Sequence, residues 1–108
     1  MEPERIWPKD ASRKIKAGSA LLVCSYTDEG WCKANNLEGA IKFGDFKQKL
    51  PGLSKNQEII FYCATPQEAV SADQAAKLTD LGYRNVKALG GGVQAWAQQV
   101  GFVWHSHL

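Results

Sequence analysis

Three cysteines and two histidines are the side chains of this 108-residue chain best suited to covalent or metal chemistry. Cys63 stands apart from the others. It closes the apolar run Glu58-Ile59-Ile60-Phe61-Tyr62-Cys63 and is followed at once by a helix-start signature, Ala64-Thr65-Pro66-Gln67-Glu68. Thr65 fits the N-cap, Pro66 the first helical position, and Glu68 the carboxylate that reaches back to the cap. A strand with no polar alternation between Ile59 and Tyr62 predicts a central strand of a parallel sheet, covered on both faces. Open α/β sheets place their chemistry at the carboxyl ends of such strands. A thiol held there faces the unpaired N–H groups of the next helix, which favour thiolate over thiol. Cys63 is therefore the candidate nucleophile; the bland alternative is a small buried hydrophobe.

Cys24 ends a second apolar run, Ala20-Leu21-Leu22-Val23-Cys24. It reads first as a buried structural cysteine. A disulfide or persulfide relay with Cys63 is the alternative, which makes Cys24 a candidate second thiol. Cys32, beside Trp31 in a polar stretch, reads as a half-exposed bystander. Cys24, Cys32, His105 and His107 match no compact zinc spacing, so no metal site is expected. Gly90, Gly91 and Gly92 lack the spacing and the lysine of a phosphate loop and read as a tight strand-to-helix turn. Trp7, Trp31, Trp96 and Trp104 read as packing residues, with Trp96 filling space behind that turn.

The elements that must position Cys63 follow from pattern. Ile6-Trp7 reads as a short strand or arm, and Pro8 starts a helix that runs to about Ala17 and stops at Gly18. The strand from Ala20 to Cys24 is followed by a polar connection from Ser25 to Glu38, with Gly30 and Asn35-Asn36 as breakers. Ala40-Ile41-Lys42-Phe43 is a third short strand. Asp45 caps a short helix through Leu50, which Pro51-Gly52 ends. After the Cys63 strand the capped helix runs to Leu81, with Gly82 at its end, and Asn85-Val86-Lys87-Ala88-Leu89 forms the last strand. A final helix covers Val93 to Val100, and Phe102-Val103-Trp104 is apolar enough to dock back on the body. Alternating strands and helices predict an α/β domain with a mainly parallel sheet and right-handed crossovers.

Composition bounds the rest. The length fits one domain, residues 1–108. With 13 basic and 11 acidic residues spread along the chain and a net charge of +2, no basic run interleaved with aromatics suggests a nucleic-acid groove. The apolar runs are too short to span a bilayer. An odd number of cysteines without a secretory signal predicts reduced thiols in a cytoplasmic protein rather than a disulfide framework.

In order along the chain, several segments resemble the single-domain rhodaneses. Leu21-Leu22-Val23 stands where that family has its second strand, and Leu37-Glu38-Gly39-Ala40-Ile41 is similar to its His-Ile-Pro-Gly-Ala-Ile segment. Ile59-Ile60-Phe61-Tyr62-Cys63-Ala64-Thr65 resembles the strand and active-site cysteine. Leu81-Gly82-Tyr83-Arg84-Asn85-Val86 and Leu89-Gly90-Gly91-Gly92-Val93-Gln94-Ala95-Trp96 resemble the C-terminal pattern. The resemblance implies a rhodanese-like fold with a five-stranded, mainly parallel sheet flanked by helices on both faces. It also implies a sulfurtransferase that carries sulfane sulfur as a persulfide on Cys63, taking it from a small-molecule donor and passing it to a thiol or protein acceptor without a cofactor. Ala64, Thr65, Pro66, Gln67, Glu68 and Ala69 would then form the backbone cradle for the anionic persulfide.

The chain departs from that family in three places. The loop after the cysteine usually carries Gly and then Arg or another cation; here Pro66 and Glu68 occupy a stretch about two residues longer. A carboxylate there opposes thiolate formation and repels an anionic donor, which predicts weak activity on thiosulfate. Gln67 is the neutral donor expected to replace the cation. The usual Asp-Val-Arg after the second strand is Cys24-Ser25-Tyr26, and the usual His before Gly-Ala-Ile is Asn36. Arsenate reductases and cell-cycle phosphatases share the fold but grip oxyanions with an Arg that closes the cysteine loop. No Arg lies between Cys63 and Arg84, which argues against oxyanion chemistry. The alternative function is a non-catalytic rhodanese-like module for protein binding or thiol redox sensing.

Overall fold

The structure, a computed structural model, describes residues 4–64 and 69–101. Five parallel strands form one sheet: β1 (Glu4–Ile6), β2 (Ala20–Cys24), β3 (Ala40–Ile41), β4 (Glu58–Tyr62) and β5 (Val86–Leu89). Their order is β1-β5-β4-β2-β3. The helices are α1 (Pro8–Lys16), α2 (Glu29–Ala34), α3 (Phe43–Lys49), α4 (Ala69–Asp80) and α5 (Gly92–Gln99), with a 3-10 turn at Leu50–Gly52. The expected α/β fold with helices on both faces is what the chain adopts.

Burial explains the sheet order. Every residue of β4 is buried, as the unbroken apolar run predicts, because β4 lies between β5 and β2 and both of its faces are covered. Strand alternation divides the core. Leu22, Cys24, Ile60 and Tyr62 face a cluster that includes Ala11 of α1, Cys32 of α2 and Trp96 of α5. Val23, Ile59 and Phe61 face the opposite cluster with Phe46 of α3 and with Ala75 and Leu78 of α4.

α1 begins at Pro8, carries Asp10 in its first turn and Arg13, Lys14 and Lys16 in its last, a charge order that suits the helix dipole. α2 departs from the sequence reading, which left this stretch as a polar connection. The Asp28 carboxylate caps it by accepting the N–H groups of Gly30 and Trp31, an N-terminal signal strong enough to start six residues of helix despite Gly30. α3 starts two residues before the expected cap, and Asp45 sits in its first turn instead. Between β5 and α5, Gly91 adopts φ 76°, and a Cβ there would strike Ala95. The glycine run is a turn required by backbone geometry, as expected.

Candidate active site

β2 and β4 are neighbours, yet the chain leaves them on opposite faces: α2 follows β2 on one side and α4 follows β4 on the other. Their carboxyl ends are therefore the topological switch point, the place where open α/β sheets generally bind ligands. Cys63 follows β4 directly at this point and is fully buried. Its Sγ lies 3.5 Å from Ser71 Oγ, within reach for a thiol donating to the hydroxyl or for the hydroxyl donating to a thiolate.

Ser71 is the third residue of α4, and Ser71, Ala75 and Leu78 form its buried stripe at i, i+4 and i+7. Sequence reasoning missed Ser71. The available signal was a hydroxyl standing in an otherwise apolar stripe, eight residues after the cysteine. One turn further along α4, Gln74 Nε2 donates to the Ser25 carbonyl at 3.3 Å, so α4 is fastened to the ends of both β2 and β4. From α5, the Val93 N–H donates to the Cys63 carbonyl at 3.1 Å.

The expected cradle is only partly within view. Thr65, Pro66, Gln67 and Glu68, and with them the proposed capping box, lie outside the described residues, and Pro66 has no N–H to offer in any case. Ala69 begins α4. The Ala64 N–H is already engaged, donating to the Tyr26 hydroxyl at 3.2 Å. Tyr26, which sequence reasoning did not single out, is thus a direct neighbour of the Cys63 loop.

The cysteine assignments need correction. Cys24 is not a second thiol for Cys63: it forms a disulfide with Cys32, Cα to Cα 6.0 Å. Two features explain this. Cys24 shares a sheet face with its register partner Tyr62, one residue before Cys63, so alternation turns Cys24 and Cys63 to opposite faces. The unforeseen α2 then carries Cys32 back over the strand end, where it is 1% exposed rather than half-exposed. The pairing also removes both sulfurs from the Cys24, Cys32, His105 and His107 set; the two histidines lie outside the described residues. Among the described residues no cluster of ligating side chains could hold a metal ion.

Arg84, the first arginine after Cys63, lies at the amino edge of the sheet, where its Nε donates to Asn56 at 3.0 Å. Burial pushes the Tyr62 phenol up to about 12, against a lowering hydrogen bond from the Leu37 backbone, so Tyr62 is a packing residue and no proton shuttle near neutral pH. A cavity of about 240 Å³ beside β3 is bordered by Lys33, Asn36, Lys42 and Asp45, with Cys32 in its wall.

The arrangement is a buried thiol at a strand end beside the first turn of a helix, on an all-parallel five-stranded sheet. The model of the rhodanese-like domain family matches residues 8–99. The chain belongs to this family. A protein from Bacillus halodurans, BH2092, is 29% identical, with 96% of this chain and 78% of that one covered and a TM-score of 0.77. The thiosulfate sulfurtransferase of Pseudomonas aeruginosa is 20% identical over 94% of this chain and 20% of its own, TM-score 0.77. A Rhodopseudomonas palustris protein of unknown function, a possible tyrosine phosphatase, is 20% identical over 94% of this chain and 85% of that chain, TM-score 0.73. At such identities the last two show a shared fold. No curated protein sequence matches the chain. The rhodanese-like fold is thereby established, and the family includes sulfurtransferases.

Proposed function

We propose that this rhodanese-like domain transfers sulfane sulfur through a persulfide on Cys63. The observation that carries the reading is Cys63 itself, placed at the switch-point end of β4 with its sulfur against the Ser71 hydroxyl in the first turn of α4. In the first step the Cys63 thiolate attacks the outer sulfur of a donor persulfide. A bond forms from Sγ to that sulfur, the donor S–S bond breaks, and its electron pair leaves with the donor thiolate. In the second step an acceptor thiolate attacks the same sulfur and Cys63 departs as thiolate. Sulfur moves between thiols with no external oxidant or reductant.

The donor follows from charge. Thiosulfate would leave as a sulfite dianion, and rhodanese loops usually meet that charge with a cation. Here Glu68 stands in the loop, and Arg84 is committed to the opposite edge of the sheet. An organic persulfide, with a single charge shared between donor and leaving thiolate, fits better. The physiological acceptor is a thiol or a protein cysteine; the Cys24–Cys32 disulfide runs against the reduced thiols expected of a cytoplasmic protein, and no helix among the described residues is long and apolar enough to cross a membrane.

A second reading is a binding or redox-sensing module without turnover, favoured by the full burial of Cys63. Steady-state transfer to a thiol acceptor separates the two. The wild type should turn over with a low-molecular-weight persulfide at least tenfold faster than with thiosulfate, and Cys63→Ser should abolish both reactions. Equal background rates for the wild type and Cys63→Ser with both donors would favour the binding module.

A further inference from the structure

Among the described residues two buried side-chain polar atoms have no hydrogen-bond partner, Trp96 Nε1 and Ser25 Oγ. Trp96 belongs to the apolar cluster on the α1 and α5 face, away from the thiol. Ser25 is different. It is 1% exposed, directly follows β2, and donates its backbone N–H to the Tyr62 carbonyl at 3.0 Å. Cys24 pairs with Tyr62 in the register, so the next pair across the strands is Ser25 beside Cys63. Parallel strands lie about 4.8 Å apart, and paired residues point to the same side. Val23 and Phe61, two residues earlier in each strand, both face the α4 side. Alternation carried one residue past each strand end turns Ser25 and Cys63 to that side as well. α4 supports this placement from the other direction, since Ser71 contacts the Cys63 sulfur and Gln74, three residues later, binds the Ser25 carbonyl.

A buried hydroxyl without a partner is costly. Such a group beside a candidate catalytic thiol calls for a functional explanation. One sulfur added to Cys63 extends that side chain by about 2 Å, which suits the spacing to a hydroxyl on the adjacent strand. We infer that Ser25 is a sulfur-binding residue whose hydroxyl donates to the anionic outer sulfur of the Cys63 persulfide. Together with Ser71 on α4 it holds that sulfur between two neutral donors, in place of a cation. This assignment rests on the persulfide reading of Cys63 and adds to it the residue that stabilises the loaded state.

The test is the lifetime of the loaded protein. Wild type, Ser25→Ala and Ser25→Thr are loaded with a low-molecular-weight persulfide, freed of donor, and followed by intact mass for loss of the added sulfur, alongside the melting temperature of each unloaded protein. A hydrogen bond to a charged group exceeds the 1.4 kcal/mol equivalent to tenfold. The added sulfur should therefore leave Ser25→Ala about tenfold faster than the wild type, and Ser25→Thr should keep most of the wild-type lifetime. The unloaded Ser25→Ala protein should melt no lower than the wild type, because its hydroxyl makes no bond before loading. A Ser25→Ala lifetime within twofold of the wild type overturns the assignment while leaving the persulfide on Cys63 intact. A lower melting temperature for unloaded Ser25→Ala, not matched by Ser25→Thr, also overturns it by showing a resting structural bond. A wild type that takes up no sulfur at all would instead remove the persulfide reading, and the role of Ser25 with it.

Discussion

At Cys63 the surrounding groups are hydroxyls and amides, and each has a distinct task. Ser71 contacts the sulfur, Ser25 follows Cys24 as Cys63 follows its register partner Tyr62, and the Tyr26 hydroxyl accepts the N–H of Ala64, the first residue of the loop. The Tyr26 bond ties Ala64 to the segment that follows β2. Tyr26→Phe removes the acceptor and leaves a half-buried N–H unpaired, so unfolding free energy should fall by about 1 kcal/mol in a denaturant titration. A change of no more than a few tenths would mean that water already serves Ala64. The position of Cys63 at the end of a buried strand was legible from the sequence because its signal is local, an unbroken apolar run. Ser25 and Tyr26 were not, because they come to the Cys63 loop, 38 residues away along the chain, only once the register of β2 against β4 is set; Ser71 left only the weaker signal of a hydroxyl in an apolar helix stripe.

At the level of elements, α2 decides the fate of two cysteines. Periodicity gave no hint of a six-residue helix containing glycine, so Cys32 read as a half-exposed bystander; the Asp28 cap was the missed signal. Once that helix forms, Cys32 reaches Cys24 and closes a short loop of sequence separation 8. Closure of so short a loop should contribute about 2–3 kcal/mol through the unfolded state. Cys32→Ser, or reduction at constant pH, should lower unfolding free energy by that amount, and peptide mapping of the oxidised protein should link Cys24 to Cys32. A Cys24 to Cys63 linkage would contradict the placement of these residues on opposite faces. The long elements, by contrast, were readable: β2 and β4 declare themselves by continuous apolar runs between turn residues, and α1 by Pro8 at its start and Gly18 beyond its end. Strand order was not, because nothing local says that β4 inserts between β2 and β5.

Across the whole molecule, chemistry and anchoring occupy opposite edges of the sheet. The carboxyl edge holds Cys63, while at the amino edge Glu58 accepts from Lys87 of β5 and from Lys14 of α1, the latter at 3.0 Å. Burial alone would raise the Glu58 pKa, but the bonds and charges of Lys87 and Lys14 outweigh it and hold the carboxyl below the ordinary 4.5. A carboxyl depressed in the folded state binds fewer protons there than in the unfolded state, so its contribution is complete above the unfolded value and is lost as pH falls through the folded one. Thermal melts should therefore show a steeper acid decline below about pH 4.5 for the wild type than for Glu58→Gln; parallel declines would show that the network does not couple to folding. The most direct measurement of the central claim is the intact and peptide mass of reduced protein after exposure to a low-molecular-weight persulfide and, separately, to thiosulfate, with Cys63→Ser as control. The account predicts one added sulfur on Cys63 from the persulfide, removed by a thiol or cyanide, with much less from thiosulfate and none on Cys63→Ser. Folded wild-type protein that acquires no sulfur from either donor would contradict it.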